Sequence, residues 1–461
     1  MVIDLQSTEY KRYTDLARSI LSERQRYAYV VTFGCQQNEA DSETIKGVLA
    51  DMGYTVTEKQ ELADIIIVNT CAIREHAESK AFSLLGRFKA QRQENPELII
   101  GVVGCMAADS RVAEALRRDF KYVSFSLEPN RLFELPEAIC KILTSGERNF
   151  QTGKDNGDLV EGLPKVRQKK HKAWVSIMYG CNNFCSYCIV PYARGRERSR
   201  PSCEILKECQ ELVASGCREI TLLGQNVNSY SADIPFYELV EKIADIEGDF
   251  IIRFMTSHPK DASDELIALM AKRQDKIAPS FHLPLQSGSD RILRKMNRSY
   301  DTERYLSVVD KLRAAIPGIA ISTDIIVGFP TESDEDFEAT LEILKRVEFD
   351  LVYSFLYSKR KGTPAAIMEG QIPDEIKSER NSKILELQQE ISYKNSLGYE
   401  GKVLRVLADK RKKKDGEYIY QGRAMNNKSV HFKSSDDIRG EFVNVKITRA
   451  APFDLYGEAE K

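Results

Sequence analysis

The chain has 461 residues, and 42% apolar with 30% charged residues is the composition of folded globular domains, not of a disordered or fibrous protein. Its 67 basic and 69 acidic residues give a formal net charge of −2, so no overall positive field marks a nucleic-acid binder, and any polyanion site must be local. The longest apolar runs, at 65–68 and 325–327, are too short to cross a bilayer, and the acidic N-terminus is unlike a signal or transit peptide. We therefore expect a cytoplasmic protein of two to four domains without a membrane segment.

The first part of the chain predicts a parallel α/β domain over residues 27–145. Residues 1–26 are expected to form a polar, partly helical extension, with ordered structure beginning near Tyr27. Apolar strands are predicted at 27–33, 65–69 and 98–103, with a helix at about 42–52, and each strand leads into a cysteine, namely Cys35, Cys71 or Cys105. One such cysteine is most simply a buried small side chain. Three at equivalent strand ends favour a shared site, because function gathers at the carboxyl ends of parallel strands.

A polar stretch at 146–172 is typical of a linker, and a second domain is predicted over 173–398. Six apolar strands with intervening helices indicate an open or partial (β/α)6 barrel, and a long charged helix is predicted at about 374–397. The strands are predicted at 174–178, 219–223, 250–255, 281–285, 319–327 and 350–357. The remaining residues, 399–461, are predicted to form a small antiparallel β-barrel from short strands at 402–407, 418–422, 429–432 and 441–449.

Three of the chain's ten cysteines, Cys181, Cys185 and Cys188, lie within eight residues in the loop after the first barrel strand. A cubane iron–sulfur cluster normally has four cysteine ligands, and no fourth cysteine follows in this loop. Structural zinc requires four closed ligands, usually a second CxxC pair or histidines, and neither accompanies the loop. The spacing therefore favours a 4Fe-4S cluster with one iron open for chemistry.

A CxxxCxxC loop with an aromatic residue, Tyr187, before the last cysteine and a six-strand α/β domain after it resembles the radical S-adenosylmethionine enzymes. The resemblance implies that the open iron binds the amino and carboxylate groups of S-adenosylmethionine, whose one-electron cleavage gives a 5′-deoxyadenosyl radical. It also implies that Tyr187 shapes the cofactor pocket and that later strand ends contact the cofactor, although each of these strand ends could be an ordinary tight loop. These are Gly224 and Gln225 near the methionine amino group, Gln286 and Ser287 (in Gln286–Ser289) near the ribose, and Asp324 and Gly328 behind the adenosine.

The order of the three domains resembles the radical S-adenosylmethionine methylthiotransferases that carry a TRAM domain, an OB-like barrel. This resemblance covers about residues 27–461, and segments 34–43, 69–75 and 179–200 are similar to the tRNA-modifying branch. It implies that Cys35, Cys71 and Cys105 hold a second, auxiliary 4Fe-4S cluster that carries the sulfur. One S-adenosylmethionine would be the methyl donor and another the radical source.

The same resemblance implies a substrate and partners. The expected reaction adds a methylthio group to carbon 2 of N6-dimethylallyladenosine at position 37 of tRNA, in the anticodon stem-loop. A reductant such as flavodoxin or ferredoxin and a sulfur donor are expected partners. A radical suits this reaction because the adenine C–H has neither an acidic proton nor a leaving group.

Three alternatives remain open. Gln37 stands where this branch commonly has methionine, so a branch that acts on threonylcarbamoyladenosine of tRNA stays possible. Another branch acts on an aspartate of a ribosomal protein, but it typically has proline-lysine after its first cysteine, where this chain has Gln36 and Gln37. The third alternative is an RNA-binding iron–sulfur sensor without turnover.

Two basic clusters are candidate phosphate contacts. Arg194, Arg196, Arg198 and Arg200 alternate beyond the three-cysteine loop, and Lys410, Arg411, Lys412, Lys413 and Lys414 form a run in the small barrel. Such a run is most often a solvated turn, but local cations also bind phosphates in a near-neutral protein. The remaining cysteines, Cys140, Cys203, Cys209 and Cys217, lack ligand spacing and are predicted to pack in the core.

Overall fold

A computed structural model of the chain describes residues 2–3, 9–71, 75–150, 159–414 and 416–460. Residues 72–74 of the second cysteine motif and 151–158 of the predicted linker lie outside the described residues. Two compact units are present: Met1–Gln168 with Met178–Asn182 and Cys188–Arg200, and Lys169–Ile177 with Asn183–Tyr187 and Pro201–Lys461. Among the described helices, none is long and apolar enough to span a membrane.

The first unit contains a six-stranded parallel sheet, as predicted, in the order Tyr54–Val56, Arg26–Thr32, Ile65–Thr70, Ile99–Gly104, Phe125–Leu127, Asn149–Phe150. The sequence did not predict the three strands of two or three residues, which are too short to give a pattern. Shorter strand pairs join Val2–Ile3 to Leu159–Val160 and Met178–Tyr179 to Arg198–Ser199. The helices are Glu9–Leu21, Gln36–Asp51, Glu75–Glu94, Ser110–Asp119, Leu135–Ser145 and Val190–Ala193.

The two central strands, Ile65–Thr70 and Ile99–Gly104, are buried along their whole length. Alternate residues enter different apolar clusters, with Ile65 and Ile67 in one and Ile66 and Val68 in the other. A sheet that is covered on both faces therefore forms the core of this unit, which explains the continuous apolar runs in its strands.

The N-terminal helix Glu9–Leu21 belongs to this core. Tyr10, Ala17 and Leu21 are buried in the same cluster as the sheet residues Ile65 and Ile67. The expectation that ordered structure begins near Tyr27 is therefore wrong. The polar residues of this segment lie on one side of the helix and hid its buried stripe.

The second unit has the six predicted parallel strands, arranged as two sets of three. The sets are Lys172–Ser176, Glu219–Leu223 and Ile251–Phe254, then Ser280–His282, Ala320–Val327 and Leu351–Leu356. Helices intervene at Ser202–Ala214, Phe236–Ala244, Asp264–Lys272, Asp290–Lys295, Thr302–Ala315 and Asp334–Val347, and the long helix Asp374–Leu397 follows. This is the expected partial (β/α) barrel, whose functional residues belong at the carboxyl ends of its strands.

The last strands of the unit close into a small barrel: Val403–Lys414, Glu417–Ala424, Ser429–Ser434, Phe442–Ala450 and Asp454–Ala459. Four pairings are antiparallel, and the pairing of Ser429–Ser434 with Asp454–Ala459 is parallel. The last strand was not predicted. The basic residues 410–414 continue the strand that starts at Val403, so they form an exposed strand end and not a turn.

Buried ion pairs connect the two barrels of this unit. Glu219 lies between Arg253 and Lys172, at 2.9 and 3.2 Å, and Lys172 also contacts Asp409 of the small barrel. The Arg253 guanidinium donates to the backbone oxygens of Ala424 and Met425. Charges removed from water in this way are tolerated only when they are paired, so the network fixes the small barrel on the larger one.

Replacing Leu21 by alanine tests whether the N-terminal helix is part of the core. Because Leu21 is 6% exposed, Leu21→Ala should lower the free energy of unfolding of the first sheet by about 2–5 kcal/mol. Leu16→Ala on the same helix, where the side chain is 40% exposed, should change it by less than about 0.5 kcal/mol. Hydrogen exchange of peptides from 26–32 and 65–70 at increasing urea measures both, and equal small effects would show that the helix is not packed.

Candidate active site

Three cysteines meet where neighbouring strands of the first sheet end. Cys35 follows Arg26–Thr32, Cys71 follows Ile65–Thr70 and Cys105 follows Ile99–Gly104, and these strands are adjacent and parallel. Cys71 and Cys105 are buried and Cys35 is half-buried. The structure therefore brings the three sequence-predicted thiols to one edge.

Glycines allow this close approach. A Cβ atom on Gly34 would lie 2.8 Å from Cβ of Cys71, and one on Gly104 would lie 2.4 Å from the backbone oxygen of Thr70. Gly104 also has a φ of 102°, which a residue with a side chain rarely adopts. The residue before Cys35 and the residue before Cys105 must therefore be glycine for the strand ends to meet.

Buried polar side chains hold the same edge. The Asn69 amide donates at 2.8 Å to the backbone oxygen of Asn38 and at 2.8 Å to the hydroxyl of Ser42. The backbone N–H of Cys35 donates to Oδ1 of Asn38, and the amide of Asn38 donates to the backbone oxygen of Thr70. The helix Gln36–Asp51 therefore buries polar residues because they bind the strand ends.

Arg194 supplies a positive charge beside Cys35, Cys71 and Cys105, whose surroundings are called the cysteine pocket below. It is 2% exposed, its Nε donates to Sγ of Cys105 at 3.1 Å, and its terminal nitrogen donates to Oδ2 of Asp41 at 2.7 Å. The prediction that Arg194 contacts RNA is therefore wrong, because a buried guanidinium already bound to a carboxylate cannot reach a phosphate. Nothing in the local sequence distinguished it from the alternating arginines around it.

This environment shifts the pKa values of Cys35 and Cys105 in opposite directions. A hydrogen bond from Cys71 lowers the pKa of Cys35 to about 6, and the charge of Arg194 acts in the same direction against the effect of burial. Burial raises the pKa of Cys105 more than Arg194 lowers it. Burial lowers the pKa of Arg194, but the charges of Asp41 and the thiols outweigh it and raise the pKa well above the ordinary value.

This donor set fits an iron–sulfur cluster, which is held by thiolates and influenced by hydrogen bonds to its sulfurs. Within the described ranges, no group of three His, Cys, Asp or Glu side chains is arranged to hold a single metal ion.

The other three cysteines lie in the loop after the first barrel strand. Cys181 and Cys188 belong to the first unit and Cys185 to the second, and their convergence on one cluster stays a prediction. Gly180, with a φ of 74°, precedes Cys181 and has no room for a Cβ atom, which would lie 2.1 Å from the backbone oxygen of Arg196. The glycine-cysteine pair of the first sheet is therefore repeated here.

A second arginine, the half-buried Arg298, contacts a thiol of this loop. Arg298 donates to Sγ of Cys185 at 3.3 Å and to the hydroxyl of Tyr300 at 3.0 Å. The nearby Ser186 is fixed by its backbone N–H, which donates to the Met296 oxygen. Sequence reasoning missed Arg298, since a lone arginine 113 positions from its cysteine gives no signal.

Later strand ends of the barrel carry polar atoms without partners. Among the described residues, Gln225 Oε1, Asn226 Oδ1, Ser257 Oγ and Gln286 Oε1 are buried and accept or donate no hydrogen bond. Thr256 and Gln286 have positive φ values of 65° and 71°, which cost energy for residues with side chains. Buried polar groups without partners and strained backbone are both concentrated at ligand sites, so this edge fits a polar cofactor such as S-adenosylmethionine.

Four other predicted cofactor residues, Gly224, Ser287, Asp324 and Gly328, have contacts within the protein. Gly224 accepts a hydrogen bond from Thr256, Ser287 is buried and accepts from the backbone N–H of Ser289, and Asp324 lies 3.5 Å from His282. Gly328 has a packing reason to be glycine, because a Cβ atom would lie 2.3 Å from Lys377. Cofactor contacts by these four residues stay predictions.

The other basic candidates differ in accessibility. Arg196 is exposed, and so are all five residues of 410–414. Arg411 of this run pairs with Asp437. Arg198 is half-buried, and Arg200 is buried in an ion pair with Glu161. The exposed strand end of the small barrel and Arg196 therefore remain the better candidates for phosphate contact.

Three family models match the chain in the predicted order. The model described as Uncharacterized protein family UPF0004 matches residues 27–127, Radical SAM superfamily matches 175–344, and TRAM domain matches 398–459.

Solved structures with a similar fold are also radical enzymes. The radical S-adenosylmethionine methyltransferase TsrM from Kitasatospora setae has a TM-score of 0.55 at 13% identity, over 74% of this chain and 75% of that one. The cobalamin-dependent S-adenosylmethionine radical enzyme OxsB has a TM-score of 0.51 at 14% identity, over 80% of this chain and 56% of that one. At these identities the likeness shows the fold alone.

Sequence relatives are much closer. The tRNA-2-methylthio-N(6)-dimethylallyladenosine synthase of Caldicellulosiruptor saccharolyticus is 50% identical over 93% of this chain and 92% of its own length. A protein of the same name from Carboxydothermus hydrogenoformans is 46% identical over 93% of this chain and 98% of its own length. Another from a Thermoanaerobacter species is 45% identical over 98% of this chain and 97% of its own length. The chain therefore belongs to the family of tRNA-2-methylthio-N(6)-dimethylallyladenosine synthases.

Proposed function

We propose that this chain adds a methylthio group to carbon 2 of N6-dimethylallyladenosine at position 37 of tRNA. The meeting of Cys35, Cys71 and Cys105 at one edge carries the proposal, because a second set of three thiols has no use in radical generation alone. The relatives' name supplies the substrate, and the TRAM match supports an RNA ligand.

Radical chemistry belongs to the second unit and the loop that enters it. Membership of the radical S-adenosylmethionine superfamily implies a 4Fe-4S cluster and S-adenosylmethionine, which together supply a carbon radical able to remove hydrogen from an unreactive C–H bond. Cys181, Cys185 and Cys188 would hold that cluster. Tyr187 packs against the apolar cluster that contains Phe329 and would contribute to the cofactor pocket.

The chain's own polar atoms would bind the cofactor. The side-chain oxygens of Gln225 and Gln286 would accept hydrogen bonds from its ammonium or hydroxyl groups, which removes the cost of leaving them buried without partners. Because both amides are fixed at strand ends, they would orient the cofactor without a conformational change.

Sulfur insertion belongs to the first unit. Cys35, Cys71 and Cys105 would hold a second 4Fe-4S cluster with one open iron, which makes two clusters in the protein. Arg196, Arg198, Lys410, Arg411, Lys412 and Lys413 would contact the anticodon stem-loop. A reductant such as flavodoxin or ferredoxin and a sulfur donor would complete the reaction, and the expected location is the cytoplasm.

Two observations bear on the alternatives. Gln37, which replaces the common methionine, is buried and donates to Asp41 at 3.1 Å, so it belongs to the cysteine pocket and not to a substrate surface. It therefore does not favour another substrate. The partnerless polar atoms at the barrel's strand ends suit an enzyme with a bound cofactor better than a sensor without turnover.

Removing the thiols of Cys35, Cys71 and Cys105 distinguishes the two proposed clusters. In anaerobically reconstituted protein, Cys35→Ala, Cys71→Ala, Cys105→Ala should lower iron from about eight to about four atoms per chain. Formation of 5′-deoxyadenosine should persist while methylthiolation of tRNA is lost. Cys140→Ala, in the core of the same unit, is the control and should keep all three readouts. About four irons in both wild type and triple variant would contradict a second cluster.

Nucleoside mass spectrometry tests the substrate. In tRNA from a strain that lacks this gene, N6-dimethylallyladenosine should accumulate without its methylthio group, and reintroducing the gene should restore the modified nucleoside. If methylthiolated dimethylallyladenosine persists while methylthiolated threonylcarbamoyladenosine disappears, the alternative tRNA substrate is correct.

A further inference from the structure

Arg194 reaches the cysteine pocket from a different part of the chain. It follows the short helix Val190–Ala193, whereas its partners Asp41 and Cys105 lie in the helix Gln36–Asp51 and after the strand Ile99–Gly104. All belong to the first unit, and Arg194 and Asp41 are 2% and 7% exposed. Three segments thus meet at one buried guanidinium.

The bonds of this guanidinium divide between a carboxylate and a sulfur. One terminal nitrogen binds Oδ2 of Asp41 at 2.7 Å, while Nε points to Sγ of Cys105 at 3.1 Å. The other oxygen of Asp41 accepts from Gln37 at 3.1 Å, which fixes the carboxylate. The planar guanidinium suits this task, because its donors are held in a rigid fork.

An ordinary structural ion pair does not explain the bond to sulfur. Asp41 alone would neutralise Arg194, yet Nε is directed at a thiol that belongs to the set of three. Hydrogen bonds to a cluster's sulfurs and nearby charge both influence its reduction potential, and side chains beyond the direct ligands commonly orient them.

We propose that Arg194, held by Asp41, is the positioning residue of the auxiliary cluster and sets its reduction potential. The inference rests on the proposed function, since it requires a cluster on Cys35, Cys71 and Cys105. Arg194 donates a hydrogen bond to the sulfur of Cys105, and its positive charge favours the reduced, more negative cluster.

Asp41 gives the proposal a sign that can be measured. Loss of the positive charge disfavours adding an electron, whereas loss of the neighbouring negative charge favours it. Arg194→Gln should therefore shift the midpoint potential to a more negative value, and Asp41→Asn should shift it to a more positive one. A purely structural role predicts no such opposition.

The experiment uses the full chain with Cys181→Ala, Cys185→Ala and Cys188→Ala, so that only the auxiliary cluster gives a signal. After anaerobic reconstitution, iron content is measured and the cluster is titrated by electron paramagnetic resonance at fixed potentials. Arg194→Gln, Arg194→Lys and Asp41→Asn are compared in this background. The lysine variant keeps the charge, so its shift should be smaller than that of the glutamine variant.

The matched controls are Arg118→Gln and Asp119→Asn, an ion pair of the same unit whose side chains are 70% and 49% exposed. Solvent screens exposed charges, so neither control should move the potential beyond the spread of replicate titrations.

Opposite shifts for Arg194→Gln and Asp41→Asn, with iron retained, support the proposal. No shift, or shifts of the same sign, overturn it. If Arg194→Gln loses its iron, Asp41→Asn decides alone, and a midpoint that fails to become more positive overturns the proposal. If the chain with Cys181→Ala, Cys185→Ala and Cys188→Ala binds no iron, the second cluster is refuted, and this inference with it. The iron assay distinguishes this outcome from a cluster whose potential does not shift.

Discussion

Hydrogen bonds between buried side chains hold the edge at which the strands of the first sheet end. Asn69 binds the start of the Gln36–Asp51 helix through the Asn38 oxygen and the Ser42 hydroxyl, and Oδ1 of Asn38 accepts from the backbone N–H of Cys35. Each buried group that lost its partner would cost about 1–3 kcal/mol, so the strand ends are fixed relative to one another. The placement of the three thiols depends on this network, and the glycines before Cys35 and Cys105 permit the final approach.

Both sets of cysteines have an arginine that donates to a thiol, and Arg194 is buried whereas Arg298 is half-buried. The two arginines also differ in their other contacts. Arg194 also binds the Asp41 carboxylate, whereas Arg298 binds the Tyr300 hydroxyl and the Pro284 carbonyl oxygen, both neutral. A charge that is partly removed from water is costly without a partner of opposite charge, and a cluster with thiolate ligands would supply such a partner for Arg298. The same physical requirement would therefore link each of these arginines to one of the two proposed iron–sulfur sites.

The parallel sheet, the six barrel strands and the meeting of Cys35, Cys71 and Cys105 at one sheet edge could be predicted from the sequence. Each depends on local spacing and on the alternation of apolar segments. The sequence did not predict the roles of Arg194, Asp41 and Arg298, since their contacts result from packing between distant segments. Arg194 was assigned to RNA because alternating arginines resemble a phosphate-binding stretch, and only its contacts with Asp41 and Cys105 show otherwise. The N-terminal helix was missed for a related reason, because three buried apolar residues among polar ones give a weak pattern.

Anomalous diffraction at the iron edge from crystals of the reconstituted protein tests the two-cluster account most directly. The account predicts two separate iron sites, one bounded by the sulfurs of Cys35, Cys71 and Cys105 and the other by those of Cys181, Cys185 and Cys188. A single iron site at the second set, with Cys35, Cys71 and Cys105 bound to no metal, would contradict it.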